Sequence, residues 1–334
     1  MAVHTAPVST SPATHRPTWQ RVLIIIGTLA LTLVLPAVLA GVLAGSQAAL
    51  AVVLGEMGAL AGATRSGWKR MARAVPVLAV ATGVAAFAGF GWGWVGVMAV
   101  VGAIAGIGLP HGYTSALLFC AMPAVFMLDG LVAWKAALVG VIGGLAAIIG
   151  VLLARHLGVK PTLPVRRGAE HMEWLFGPVV LVMMGGGAAI AVASGIPHAY
   201  WIVLTLIVVG AALAAGDTKR NRERLIGNIG GLAITIPLSF VPMPAWAFYV
   251  CAFVLLVVSF TFLSKRYWLY ALLESAAVVL LVSAGQTGSA MLQTGEARAG
   301  ATLIACVMVA VLVVLMRFVL PRIPRVSAPA AVDA

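Results

Sequence analysis

Charge is what this sequence has least of. Charged residues make up 9% of the chain, against roughly 25% in an average soluble domain. Acids are scarcer still, 9 Asp and Glu beside 21 Lys and Arg. Hydrophobic residues supply 62%. Such a chain has too little polar surface to cover a water-soluble fold, so the class is a polytopic membrane protein. Cysteine is nearly absent: Cys120, Cys251 and Cys306 all lie in apolar runs, with no disulfide framework or metal spacing, and read as small buried apolar residues. No paired Asp motif, Ser–His–Asp set or His–Glu metal motif appears, which speaks against a membrane enzyme. No cofactor and no metal are expected. The net charge of +12 has a plain source in the positive loops that orient membrane proteins. No basic, aromatic-interleaved soluble segment exists to bind nucleic acid.

What is there is a series of long apolar runs rich in Ala, Val, Leu and Gly. A bilayer core takes about 20 apolar residues per helix. On that measure spans are expected at 21–41, 45–63, 74–91, 93–109, 114–129, 133–154, 174–194, 199–216, 225–241, 245–263, 267–286 and 299–319. The fold class is therefore all-α, about twelve transmembrane helices. The junctions at 43–46 and 91–93 barely break the apolar pattern, so ten or eleven spans stay open. Residues 1–20 and 321–334 read as cytoplasmic tails and 155–173 as a cytoplasmic linker. With both termini inside, all of the 21 Lys and Arg except Lys135 and Arg298 fall on the cytoplasmic side, the bias expected of a cytoplasmic (inner) membrane protein.

The two halves, 21–154 and 174–320, resemble each other. Under one fixed offset Ala61, Gly62, Thr64 and Arg70 fall on Ala215, Gly216, Thr218 and Arg224, and His111 and Tyr113 fall on Lys265 and Tyr267. A slightly longer offset puts Lys135 on Arg298. Six spans per half give two parallel repeats about an axis along the membrane normal, an arrangement that places substrate between the halves.

The second half carries a family likeness. Tyr200, Trp201, Leu204 and Thr205 fit a YW-x-x-LT helix, and a basic turn follows. Arg224, Gly227 and Gly231 then fit an R-x-x-G-T-x-x-G helix start, with Asn228 where Thr is usual. Arg298 and Thr302 fit the last element. This resembles the fusaric-acid-resistance-like (FUSC) membrane domain of the aromatic acid exporter superfamily. The resemblance implies efflux of organic, often aromatic, anions and a role in resistance. Plant malate channels look related, so a passive anion path is an alternative. Many members carry a large soluble domain that is missing here; if it serves gating or assembly, partners or a homodimer would replace it. A permease subunit of an ATP-driven transporter is a further alternative, weakened by short cytoplasmic loops.

Ionisable groups inside spans are functional candidates by default. Glu56 and Glu274 each fall near the middle of a span and are candidates for proton coupling; the plainer reading is a protonated or paired carboxyl that ties helices together. Lys135 and Arg298 break the charge bias at matching places. They read as an anion-coordinating pair at the external mouth, or as side chains that snorkel or pair with Asp129 and Glu296. Arg70 and Arg224 recur at one repeat position and either gather substrate or mark orientation. His111 and Lys265 share another such position. Tyr200 and Trp201 either stack on an aromatic substrate or anchor the interface. The expected partners are thus a small organic anion and the lipid bilayer.

Overall fold

The computed structural model describes residues 20–319, except 21–22, 25–26, 29, 45–51, 54, 57, 61, 64–66, 109–117, 119–121, 123–132, 159–172, 215–217, 242–243, 261, 263–265 and 284–287. Among the described residues the regular structure is helical throughout. A π-helical turn, Ala30–Val34, leads into α1 (Leu35–Ala44); helical residues recur between 52 and 63. Then follow α2 (Trp68–Ala88), α3 (Trp92–Ile107) and α4 (Ala133–His156). The second half holds α5 (Glu173–Ser194), α6 (Trp201–Ala214), α7 (Thr218–Ser239), α8 (Ala245–Phe260), α9 (Tyr267–Val282) and α10 (Ser289–Val319). The expected span at 114–129 and the linker lie almost wholly outside the described residues.

Among the described residues four helical stretches are long and apolar enough to cross a membrane: Trp68–Ala88, Ala133–His156, Phe176–Ser194 and Ser289–Leu315. Shorter apolar helices lie beside them. The surface supports the same environment. Phe87, Trp92, Phe240 and Trp246 are exposed, while Glu56, Arg224, Glu274 and Arg298 are buried. Apolar outside and ionic inside inverts the usual partition of a soluble protein and suits lipid, where ionisable groups face the bundle interior.

Three starts differ from the sequence reading, the first being that of α2, which begins at Trp68 instead of 74. α7 begins at Thr218, several residues before 225, because the basic segment is itself helical: Lys, Arg and Glu are good helix formers, and Lys219 pairs with Glu223 across one turn at 3.5 Å. α10 begins at Ser289 instead of 299 and takes much of the polar segment before Arg298 into the helix. Its Thr294 hydroxyl donates to the Ala290 carbonyl at 3.0 Å, so that polar residue is satisfied inside the helix.

Packing follows the small residues. α3 lies along α5, α2 along α4, and α7 along both α9 and α10. A Cβ added at Gly227 would stand 2.6 Å from the Trp268 carbonyl oxygen, and one at Gly231 2.8 Å from that of Leu272. One turn apart, these two glycines let the α7 backbone press onto α9, the close approach that small residues allow between membrane helices.

Candidate functional site

That approach brings a charge cluster together. Arg224 sits on α7, three residues before Gly227, and its Nη2 lies 2.8 Å from Oε2 of Glu274 on α9. From α10, Arg298 Nη2 donates to the other carboxylate oxygen, Oε1, at 3.4 Å. Both arginines are 1% exposed and Glu274 is 8% exposed. Tyr267 and Tyr270, stacked with ring centroids 5.5 Å apart, stand beside Arg224, with the Tyr267 hydroxyl in hydrogen-bond reach of it. Among the described residues, Nε and Nη1 of Arg298 have no hydrogen-bond partner.

A second polar link braces the cluster. The Thr302 hydroxyl gives its single proton to the Arg298 carbonyl at 2.9 Å. It therefore accepts from the Asn228 amide, 2.6 Å away on α7. Asn228 is where the family pattern has Thr, and its longer side chain spans the gap between α7 and α10.

The α6 end supplies an aromatic wall. Trp201 is 1% exposed, with the Arg298 Cζ 5.3 Å from its ring centroid and the His198 imidazole stacked on it at 5.1 Å. Trp201 is therefore buried beside the cluster and does not face lipid as an interface anchor would. His198 holds a left-handed backbone, φ 59, uncommon without glycine, and its Nδ1 lies 3.3 Å from the Tyr200 hydroxyl. Burial pushes this imidazole below its ordinary range, which favours the neutral ring, with one nitrogen a donor and the other an acceptor. Beside it opens a groove of about 670 Å³ lined by His198, Gln293, Thr294, Glu296, Ala297 and Gly300, the last two flanking Arg298 along α10.

The structure thus gathers Arg224, Glu274, Arg298, Tyr200 and Trp201. It leaves Arg70 exposed on the first turn of α2. Lys135 is exposed on α4, its Nζ 5.7 Å from the Trp134 ring, and does not join the buried Arg298. Glu56 is buried, and neither carboxylate oxygen has a partner among the described residues. His111 and Lys265 lie outside the described residues. Sequence reading missed Asn228 as a bridge and Tyr267 as a partner of Arg224. No group of three or more metal-ligating side chains occurs among the described residues.

Apolar helices around a buried arginine–carboxylate cluster define a multi-pass membrane protein with a polar site in its interior. Residues 183–313 match the family described as fusaric acid resistance protein-like. The matched stretch contains every residue of the cluster. Comparison with curated proteins and with solved structures gave no match. The family match points to membrane transport and efflux as the class of activity.

Proposed function

We propose that this protein is a secondary exporter of small organic anions, aromatic or carboxylate. It lies in the cytoplasmic membrane with both termini inside and is coupled to protons through its buried carboxylates, Glu274 and Glu56. The observation that carries the reading is the Arg224–Glu274–Arg298 cluster: two buried guanidiniums against one carboxylate make an interior of net positive charge, with Trp201 as an aromatic wall. A buried unpaired cation is costly, and an organic anion relieves that cost.

Twelve spans in two parallel repeats fit this reading. Helical residues near 55–56 abut α4 at Gly140 and Gly143, as α6 abuts α10. α2 packs on α4 as α7 packs on α10. A homodimer and bound lipid belong to the same proposal. A passive anion path is the second reading, favoured by one observation: Glu274 touches both arginines and so serves as their counter-ion without carrying a proton.

Reconstituted vesicles test both. Benzoate flux is expected in protein-containing vesicles, reduced about 10- to 100-fold by Arg298→Ala, the loss expected from one charged hydrogen bond, and changed little by Arg70→Ala. Flux no greater than in protein-free vesicles would sink the proposal. Flux that never exceeds the anion's electrochemical equilibrium under a proton gradient would select the passive path.

A further inference from the structure

The three charges of the cluster do not cancel, and the carboxylate is not shared evenly. Glu274 Oε2 is 2.8 Å from Arg224, whereas Oε1 is 3.4 Å from Arg298. Charge-assisted contacts of full strength measure about 2.7–2.9 Å, so the Arg298 arm is the longer one, although it is the arm aligned as a hydrogen bond. A guanidinium can grip a carboxylate through two parallel nitrogens, but each arginine uses only Nη2 on Glu274, and Nε and Nη1 of both have no hydrogen-bond partner among the described residues. Glu274 stands where a free carboxylate would stand and fills that place incompletely.

Resting on the organic-anion reading, we propose that Glu274 is a tethered competitor for the carboxylate seat on Arg298, and that an incoming monoanion displaces it. The groups that surround Glu274 make the consequence definite. Arg224 faces it from α7, Arg298 from α10, and Tyr270 and Tyr267 stand on its own helix around the same charges. Tyr200 of α6 acts on Arg298, and Cys306 of α10 lies near Arg224. None of these neighbours is a second carboxylate. Charged Glu274 repels the anion and occupies its donor; neutral Glu274 does neither. Proton and anion therefore favour each other's binding, and by reciprocity the anion promotes protonation as much as the proton promotes anion binding. Anion binding takes a proton up from solution and releases it on departure.

The experiment uses the full chain in detergent, with benzoate as the probe and tryptophan fluorescence as the readout, between about pH 6 and pH 8, where the carboxylate of the probe is ionised. Wild-type affinity is expected to rise as pH falls, by at most about tenfold per unit for one linked proton. Glu274→Gln binds at least as tightly as the wild type at the low end of the range, and its affinity no longer depends on pH. Affinity in Glu274→Gln no greater than wild type at the high end, or still pH-dependent, overturns the proposal. Should that variant not fold, the wild type decides: a pH-indicator dye must report alkalinisation when benzoate is added to weakly buffered protein, and no proton uptake overturns the proposal. Vesicle flux with no such linkage sinks this inference and leaves the transport reading; linkage without flux does the reverse.

Discussion

At the scale of single residues, the cluster is held by groups that individually look ordinary. Asn228 is the clearest. Its amide donates to Thr302 at 2.6 Å, and Thr302 in turn donates to the backbone of Arg298. Asn228→Ala removes a buried hydrogen bond between α7 and α10, a loss of about 0.5–1.5 kcal/mol, so a lower melting temperature in detergent is expected. Asn228→Thr, the usual family residue, restores a hydroxyl too short to span the same gap and recovers only part of the loss. An unchanged melting temperature in Asn228→Ala would remove this bridge from the account. Glu274 and Arg298 were legible in the sequence as ionisable groups inside or beside apolar runs. Their pairing was not, because it joins two helices through a segment that carries no pattern of its own. Arg224 was harder, since it ends a basic run in which its neighbours Lys219 and Arg222 are exposed. Only the turn of α7 that faces α9 separates it from them.

At the scale of elements, the helices were legible and their starts were not. Apolar runs of the right length placed α3, α4, α5 and α8 closely, because lipid-facing length is a composition signal. α7 and α10 begin earlier than their apolar runs, since Lys, Arg, Thr and Glu continue a helix wherever solvent or a neighbour satisfies them. The deeper determinant is the glycine pair on α7. A methyl at Gly227 would meet the Trp268 carbonyl oxygen at 2.6 Å and the Ala271 Cβ at 2.5 Å, closer than carbon can approach either. Gly227→Ala is expected to force α7 away from α9 and loosen the Arg224–Glu274 contact. It should lower thermal stability by about 1–3 kcal/mol, as over-packing does, and reduce benzoate affinity together with it. Gly96→Ala on α3, where nothing lies within 4 Å, is the control and should change neither. Equal behaviour of the two variants would show that close α7–α9 contact does not set the site.

At the scale of the whole molecule, the buried charge lies unevenly along the chain. Arg224 and Arg298 are buried, while Arg70 and Lys135, the residues expected to match them if the chain is a repeat, are exposed. Glu56 stands alone in the first half with no partner among the described residues. If Glu274 takes up its proton with the anion, protons moving opposite to the anion need a separate carrier, and Glu56 is the carboxylate placed for it. Glu56→Gln should then abolish proton-driven accumulation in vesicles and leave equilibrium binding of benzoate untouched; loss of binding as well would place Glu56 in the anion site.

The uneven charge of the cluster has an electrical consequence. With Glu274 ionised, the empty site carries one positive charge, and a monoanion that binds together with its proton leaves that charge unchanged. A voltage negative inside therefore acts on the empty and the loaded site alike. If the site alternates between the two faces, the cell's own potential draws the empty form back toward the cytoplasm, by up to about 2.3 kcal/mol per 100 mV. It opposes the outward passage of the loaded form by the same amount, so over one cycle the membrane potential does no net work through this site, and the drive must come from the anion gradient or from a proton path elsewhere.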